Sequence, residues 1–229
     1  MTLTRWSRPF AALLLAALAA CSGGTENAPP ANDKLLFAAL QSRFAGLAGE
    51  EPAADAREVL TPAMVAGSPT PLLLVVVQET DIGLTMVPRA VKLGTEQWRD
   101  ISGGGLFRRN GILVGTRGFG FDLHTADVAP LAAALRAGGG EDVERVNRYI
   151  DGQNQIVAVQ FLCSVRPVGQ ERLSYFGVNI DTTVYEEDCV SDGGGFVNRY
   201  WLDAGGTVRR SVELIAPESG SLDVIVLKV

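Results

Sequence analysis

Apolar and polar residues alternate most regularly between residues 143 and 217, a stretch that also contains Cys163 and Cys189. Side chains two residues apart on a β-strand share one face of the sheet. One such face is formed by Val157, Val159, Phe161 and Cys163, and the next by Phe176, Val178, Ile180 and Val184. The opposite face of that second strand, predicted to be the wetter one, carries Tyr175, Asn179, Asp181 and Tyr185. The pattern predicts that antiparallel strands form the centre of the fold.

Shorter apolar runs before residue 143 extend the same sheet. Residues 72–77, Leu-Leu-Leu-Val-Val-Val, are typical of a strand that is buried on both faces. Asn110-Gly111 is a strong signal for a hairpin turn, and Gly94 marks a second turn between two strand-like segments. Pro88 in the first of these segments predicts an edge or a bulge. Residues 222–229 are apolar on both faces, and they are predicted to close the sheet from inside.

Two helices complete the predicted fold, beside one short helix predicted around residues 54–60. Apolar residues fall at helical spacing within residues 34–47, after Asp33 as the N-cap, and this helix is expected to pack on the rim of the β domain. A second helix is predicted from Asp127, which can cap it, through Leu135. The predicted fold class is therefore mainly β: a single antiparallel β domain, barrel-like, with an N-terminal helix and one short inserted helix.

The start of the chain has the composition of a signal peptide. Arg5 and Arg8 make it positive, and residues 10–20 form an apolar run too short to span a bilayer. The run ends in Leu-Ala-Ala-Cys, whose spacing resembles the lipobox of bacterial lipoproteins. Cys21 is therefore predicted to carry lipid and to become the first residue of the mature protein. The alternative is an ordinary signal peptide with an incidental cysteine.

These features divide the chain into three parts. Residues 1–20 are the predicted lipoprotein signal peptide. Residues 21–32 contain no large apolar side chain, and they are predicted to be a lipidated, flexible tether. Residues 33–229 are predicted to form the β domain, which is long enough to bury one hydrophobic core.

The charge of the chain limits its partners. The net charge is −6, and it becomes −8 once Arg5 and Arg8 are removed with the signal peptide. An acidic protein without a basic cluster is not expected to bind nucleic acid, or to hold an anionic membrane by charge alone. Attachment to the membrane is therefore expected to come from acyl chains at Cys21, since one chain binds marginally and several bind stably.

The cysteine count predicts one disulfide. Three cysteines less one lipid anchor leave Cys163 and Cys189, and such a pair is expected to bond in an oxidising periplasm. A loop of about 26 residues would be closed, which stabilises the fold by roughly 3.5 kcal/mol in the chain-entropy treatment. The alternative is two buried free thiols.

Side chains suited to catalysis are scarce. His124 is the only histidine of the chain, so a multi-histidine zinc site is excluded, and a bonded cysteine pair offers no thiolate to a metal. A Ser-His-Asp triad would need His124 as its base, but no Gly-x-Ser-x-Gly elbow is present. Asp122 and Asp127 beside it are interpreted as a polar cluster at a helix start. We predict no catalytic residue, no metal site and no cofactor, although two suitably spaced carboxylates would suffice for a glycosidase.

Two other motifs are interpreted structurally. The glycines of G-T-R-G-F-G-F-D-L-H-T-A-D, residues 115–127, lack the spacing of a phosphate-binding fingerprint and indicate a close approach to another backbone. The run Glu186-Glu187-Asp188 offers oxygen ligands that calcium favours. Consecutive residues of a strand point to opposite faces, however, and a solvated, aggregation-resistant edge is the preferred interpretation.

Four aromatic residues are the candidates for contact with a glycan or a protein partner: Tyr175, Tyr185, Tyr200 and Trp201. Their flat apolar faces and polar rims suit stacking on sugar rings. For Trp201, packing in the core is the favoured alternative.

Several motifs together resemble the YjbF/GfcB family, the group 4 capsule or exopolysaccharide lipoproteins of Gram-negative bacteria. They are the lipobox, residues 115–127, R-Y-I-D-G-Q-N-Q, the pair of Cys163 and Cys189, and F-V-N-R-Y-W-L-D-A-G-G-T-V-R-R-S. The resemblance covers about residues 72–229. It implies an all-β, barrel-like domain on the periplasmic face of the outer membrane and a role beside polysaccharide secretion proteins. It implies no catalytic residue, and Ser22 after Cys21 fits sorting to the outer membrane.

The sequence thus predicts a lipid-anchored accessory factor without enzymatic activity. Its role would be to bind polysaccharide or export partners during exopolysaccharide or capsule assembly. One alternative is a periplasmic carrier that holds an apolar ligand in a barrel cavity, which a large apolar cavity would favour. Another is a glycan-modifying enzyme, which would need two facing carboxylates in a groove.

Overall fold

The structure is a computed structural model that describes residues 55–229. Its strands, in chain order, are β1 (Leu72–Val77), β2 (Ile82–Lys92), β3 (Thr95–Arg99), β4 (Gly105–Arg109), β5 (Ile112–Arg117), β6 (Thr125–Asp127), β7 (Gly140–Ile150), β8 (Ile156–Tyr175), β9 (Val178–Ser191), β10 (Gly194–Leu202), β11 (Val208–Ala216) and β12 (Gly220–Lys228). Its helices are α1 (Ala56–Val59), α2 (Pro62–Gly67) and α3 (Ala129–Ala137). None of these helices has the length and apolar composition needed to cross a membrane.

The strands form one antiparallel sheet that curls into a nearly closed barrel. Their order is β5-β4-β3-β2-β1-β12-β11-β10-β9-β8-β7-β6. The two ends of this order meet where Thr116 on β5 donates its N–H to the carbonyl of Leu123, just before β6, at 2.9 Å. The Thr116 hydroxyl accepts the Leu123 N–H in return, at 3.0 Å. The predicted fold class is confirmed, including the short helix inserted among the strands.

The central strands are buried on both faces, as their sequences predicted. In β1, Leu73 and Val75 point into the barrel, while Leu72, Leu74 and Val76 belong to a second apolar cluster on its outer side. Strand β12 lies between β1 and β11 and shows the same division. A run of consecutive apolar residues is stable here because helices and a folded-back hairpin cover the outer face.

That hairpin is the far half of β8 and β9. Strand β8 has 20 residues, but its ladder with β7 ends at Val165, so residues 166–175 pair with β9 alone. This ribbon curls onto the outer face, where Leu173 packs with Val184 and Trp201. The turn at its tip is Phe176-Gly177, and both residues have positive φ. Phe176 therefore lies in the turn and not within the strand face predicted for it.

Helix α3 lies at the end of the barrel that also holds the β4–β5 and β10–β11 turns, here called the lower end. Leu131 and Leu135 of this helix are buried in the main core. The helix begins at Ala129 rather than at Asp127, because Asp127 is still part of β6 and pairs with Val146 of β7. The Asp127 carboxylate nevertheless accepts the Ala129 N–H at 3.2 Å. Gly138, in the left-handed conformation, ends it as expected.

Some predictions concern residues outside the described range. These are the signal peptide, lipidation at Cys21, the tether and the helix over residues 34–47. The predicted short helix near residues 54–60 is present as α1, and the hairpin turns at Gly94 and Asn110-Gly111 are confirmed. Pro88 lies at a register shift between β2 and β3, where an edge or bulge was expected.

Candidate functional site

A charged pair is sealed inside the barrel. Nη1 of Arg145 on β7 lies 2.9 Å from Oε2 of Glu187 on β9, and neither side chain has any solvent exposure. Nε of Arg145 donates to Oδ1 of Asn147 at 3.1 Å, and the guanidinium lies over the ring of Phe196. Glu187 also accepts a hydrogen bond from Nδ2 of Asn198 at 2.8 Å. A buried charge is tolerated only when it is compensated in this way.

Tyr200 connects this pair to a second buried acid, Glu213 on β11. Its hydroxyl lies 2.9 Å from Oε2 of Glu187 and 3.0 Å from Oε2 of Glu213. A phenol has one proton to donate, so it can satisfy one of two ionised carboxylates. The second short contact is accommodated if Glu213 carries a proton and donates it to Tyr200.

The electrostatic environment supports this assignment. Burial raises the pKa of Glu213, against the opposing effect of Arg145. Burial and the two neighbouring acids raise the pKa of Tyr200 well above its usual value, so the phenol stays protonated. Burial disfavours the charge on Arg145, but Glu187 and the other acceptors keep its pKa above the usual value. The network therefore holds the Arg145 cation, with Glu187 as its main counter-charge.

The disulfide lies beside this network. Cys163 on β8 and Cys189 on β9 are directly opposite each other and are bonded, with an S–S distance of 2.03 Å. Among residues 55–229, Cys163, Cys189 and Glu187 form the one group close enough to share a metal ion. Because the two sulfurs are bonded to each other, the group offers no thiolate ligand.

The acidic run on β9 is divided between the two faces, as expected, but its predicted environment was wrong. Strand β9 lies between β8 and β10, so it is not an edge, and Glu187 is fully buried. Glu186 lies on the outer face, where it pairs with Arg166 and Arg199. Arginines from other strands neutralise the carboxylates of Glu186 and Glu187, which leaves no acidic cage for a cation.

The four aromatic candidates do not share one surface. Tyr200 is inside the barrel with no exposure, and Tyr185 packs against the main core, so the face predicted to be wetter turns inward at this point. Trp201 and Tyr175 lie on the outer face. Trp201 is buried, its Nε1 donates to Glu171 at 2.7 Å, and the guanidinium of Arg210 covers its ring at 4.4 Å.

Arg210 organises this outer cluster. Its Nε and Nη2 form a two-point contact with the carboxylate of Asp223, at 2.9 and 2.7 Å. Its Nη1 donates to the hydroxyl of Tyr175 at 2.9 Å. Tyr175 is half-buried and borders a groove of about 570 Å³ on the outer face, here called the outer groove. The lining of the outer groove is Arg57, Leu74, Val76, Gln78, Asp81, Tyr175, Phe176, Arg210, Asp223 and Ile225.

A second opening, here called the lower cavity, lies at the lower end of the barrel. Its volume is about 510 Å³, and its wall combines inward-facing residues of the barrel with Ala132 and Leu135 of α3. The polar groups around it include Glu96, Arg108, Asn110 and Arg136. Arg145, Glu187, Tyr200 and Glu213 of the buried network are not among the residues that line it.

His124 is not placed for triad chemistry. Its Nδ1 lies 3.4 Å from Nη2 of Arg117. The carboxylate of Asp122 instead accepts hydrogen bonds from the Thr116 hydroxyl and from the N–H groups of Gly118 and Phe119. A Cβ on Gly115 would lie 3.3 Å from the carbonyl oxygen of His124, which is the close backbone approach that the glycine pattern indicated.

Four residues of these sites were not predicted from the sequence: Arg108, Arg145, Glu213 and Arg210. For the buried network a signal existed. Cys189 had to face Cys163 inside the domain, and Glu187 and Tyr185 share its parity along the strand. For Arg210 no local signal existed, because its partners Tyr175 and Asp223 come from other strands.

Comparison with known proteins agrees with this architecture. The family model described as group 4 capsule polysaccharide lipoprotein gfcB, YjbF, matches residues 35–227. Among solved structures, the chain is similar to the crystal structure of the hypothetical lipoprotein YmcC from Escherichia coli K12, with a TM-score of 0.68 and 17% sequence identity. That match covers 87% of this chain and 96% of the other, and at this identity it shows the fold alone. No curated protein matches the chain. Because the family model covers most of the sequence, the chain belongs to the YjbF family of group 4 capsule polysaccharide lipoproteins.

Proposed function

We propose that the protein is an outer-membrane lipoprotein, anchored at Cys21 on the periplasmic face, that assists exopolysaccharide or capsule assembly without catalysing a reaction. Membership of a capsule polysaccharide lipoprotein family supports the pathway. The lipobox ending at Cys21 supports the anchor. The role is to bind polysaccharide, or a secretion protein that handles it.

The outer groove is the surface that best suits a glycan. It combines the half-buried ring of Tyr175 and the side chain of Phe176 with the planar polar groups of Arg57, Gln78 and Arg210. Aromatic faces beside hydrogen-bonding groups suit a sugar ring, which has apolar faces and a polar edge. Of the four aromatic candidates, Tyr175 is therefore the one we retain as a direct contact, while Trp201 supports the groove from beneath through Arg210.

The acids of the groove favour binding over hydrolysis. Asp81 pairs with Arg57, and Asp223 pairs with Arg210, at 2.8 and 2.7 Å. Each carboxylate is already held by a guanidinium, so neither is free to transfer a proton to or from a bound glycan. A glycan-modifying enzyme is therefore the weaker alternative for this site.

Binding is tested by titrating the full-length protein with exopolysaccharide purified from the source organism. Tyr175→Ala is expected to weaken binding several-fold, because stacking of a sugar ring on an aromatic side chain contributes about 1 kcal/mol to the free energy of binding. Arg172→Gln is the matched control, since Arg172 lies on the exposed part of the same ribbon and outside the groove. Equal binding by Tyr175→Ala and wild type would reject the groove.

The cellular role is tested separately. Deletion of the gene is expected to lower the amount of secreted polysaccharide, and Cys21→Ser is expected to release the protein from the outer-membrane fraction. Crosslinking of the anchored protein in its own envelope would identify its neighbours. Normal secretion in the deletion strain would contradict the accessory role, whatever the groove binds.

The carrier alternative is favoured by one observation, the lower cavity. An opening of about 510 Å³, lined by aliphatic and polar side chains, is present at the lower end of the barrel. The residues around it decide what kind of molecule it suits.

A further inference from the structure

The lower cavity is distinct from the outer groove, because it opens on the inner side of the sheet. Its volume of about 510 Å³ falls within the usual range for small-molecule sites. Branched aliphatic side chains are the largest group in its wall: Leu73, Ile112, Leu135, Leu202, Val208, Val226 and Val229. An aliphatic chain gains from such a wall through removal of apolar surface from water.

One cation at the cavity makes no direct ion pair, although the carboxylates of Glu213 and Glu96 are near enough to act on it. Arg108 on β4 is 3% exposed. Its Nε and Nη2 both donate to the carbonyl oxygen of Gly111, in the β4–β5 turn. Within residues 55–229, its Nη1 makes no hydrogen bond and the guanidinium makes no ion pair. Glu96 is its partner in the β3–β4 register; its Oε2 accepts the Nε1–H of Trp98 at 3.0 Å, and its carboxylate makes no direct hydrogen bond to the guanidinium.

A buried guanidinium without an ion pair is unfavourable, so an anion that reaches it is bound tightly. Arg108 lines the cavity, and its unpaired nitrogen is available to a ligand there. Arg136, exposed on α3 at the same opening, adds a second positive charge. Lys228 also lines the cavity, but its amine already donates to the carbonyls of Ala66 and Ser68.

We propose that the lower cavity binds a single-chain anionic amphiphile. Its aliphatic chain lies against the branched side chains of the wall, and its head group, a carboxylate or a phosphate, accepts a hydrogen bond from Nη1 of Arg108. This binding goes beyond the proposed polysaccharide role and uses a different surface.

The two tryptophans of the described residues provide a test. Trp98 lines the lower cavity, whereas Trp201 lies on the outer face under Arg210. The lipid-anchored mature protein, from which cleavage before Cys21 removes Trp6, is held in phosphatidylcholine vesicles with either Trp201→Phe or Trp98→Phe. Each form is titrated with dibromostearate, whose bromines quench a nearby indole, and with the brominated alcohol of the same length. Unbrominated stearate and an alkyl phosphate serve as competitors that distinguish the two head groups.

Saturable quenching of Trp98, without matching quenching of Trp201, is the expected result. The alcohol is expected to bind at least about tenfold more weakly than the carboxylate, because a charge-assisted hydrogen bond is lost. Arg108→Gln is expected to abolish this preference. Arg109→Gln is the matched control, since Arg109 is the exposed neighbour on the opposite face, where it bonds Thr95.

A second variant guards against misfolding of Arg108→Gln. Thr207 is an exposed residue at the rim of the cavity, and Thr207→Phe is expected to block quenching of Trp98 while leaving the fold intact. Quenching that is linear and equal for Trp98 and Trp201 would show partition into the vesicle alone and overturn the proposal. Equal affinity for the acid and the alcohol in wild type would also overturn it. Neither result bears on polysaccharide binding at the outer groove.

Discussion

Arg145 and Glu187 form an ion pair that spans an intervening strand. Arg145 is on β7 and Glu187 is on β9, and β8 lies between them, yet Nη1 and Oε2 are 2.9 Å apart with no solvent access. A one-residue slip of β9 would move Glu187 outside and bring Glu186 in. The pair is thus a structural device that ties three strands into one register, next to the disulfide that joins two of them.

Removing one member of this pair is expected to be strongly destabilising. Arg145→Met leaves the Glu187 carboxylate buried without its cation, which should lower the free energy of unfolding by about 3–5 kcal/mol. Urea denaturation of the full-length protein at pH 7 measures the loss. The double variant Arg145→Met, Glu187→Met should recover part of it, since no charge is then left buried.

Glu186 supplies the matched control for that prediction. It lies one residue away on the opposite face and pairs with Arg166 and Arg199, which are 51% and 56% exposed. Glu186→Gln should cost less than about 1 kcal/mol, as is usual for solvated pairs. A similar loss for both single variants would contradict the assigned difference in burial.

Glu213 should make stability depend on pH. Burial raises its pKa in the folded state above the ordinary value of 4.5, so the folded protein binds more protons than the unfolded chain between the two values. The stabilising contribution is complete below about pH 4.5 and is lost as the pH rises through the folded pKa. The wild-type free energy of unfolding minus that of Glu213→Gln should therefore fall as the pH increases from 4 to 8.

The difference between the two proteins isolates Glu213, because the other titrating groups cancel to first order. Its slope should not exceed about 1.4 kcal/mol per pH unit, the limit for one proton. A difference that rises with pH would mean that Glu213 is ionised and stabilised by Arg145 in the folded state. In that case the proton between Tyr200 and Glu213 would be assigned wrongly.

The sequence predicted those parts of the fold that depend on local patterns. Residues 72–77 predicted a strand buried on both faces, and Asn110-Gly111 predicted the turn between β4 and β5. The pairing of Cys163 with Cys189 followed from counting. Where contacts between distant residues decide the outcome, local reasoning failed. Glu187 was assigned to a solvated edge because nothing near it in sequence indicates Arg145, 42 residues away.

The outer cluster escaped prediction for the same reason. Trp201 and Tyr175 lie together because the β8–β9 ribbon folds back over the barrel, and the ribbon is held by Leu173, Val184 and Trp201. Alternation along a strand shows which residues share a face, but it does not show where a long hairpin bends. The lower cavity is equally hidden, since its wall is assembled from β1, β3, β4, β5, β10, β11, β12 and α3.

Reduction of the disulfide is expected to lower stability without abolishing the fold. The bond closes a loop of 26 residues, for which the chain-entropy treatment gives roughly 3.5 kcal/mol. Urea denaturation with and without reductant should show this loss in wild type. The double variant Cys163→Ala, Cys189→Ala should have the same free energy of unfolding as reduced wild type. Reductant should not change that value. A response in the double variant would point to an effect elsewhere.

Replacing Arg210 by lysine should weaken the outer cluster although the charge is kept. A lysine cannot combine the two-point contact to Asp223 with stacking on Trp201. The expected loss is about 1–2 kcal/mol in the free energy of unfolding, together with weaker polysaccharide binding at the adjacent groove. Arg209→Lys is the comparison, since Arg209 pairs with Asp203 in the turn before β11 and lies outside the groove. Equal loss of polysaccharide binding in both variants would show that Arg210 has no specific role at the outer groove.

Gly195 on β10 should not tolerate a side chain. A Cβ at this position would lie 2.5 Å from the carbonyl oxygen of Cys189, which is backbone and cannot turn away as a flexible side chain could. Gly195→Ala is therefore expected to push β10 from β9 beside the disulfide, at a cost of about 1–3 kcal/mol. Gly169→Ala is the control, because a Cβ on Gly169, in the bulge of β8, would meet nothing within 4 Å. The free energy of unfolding of Gly169→Ala, measured by urea denaturation, should match that of wild type to within about 0.5 kcal/mol. Equal free energies of unfolding for the two variants would show that β10 accommodates a side chain at Gly195 without strain.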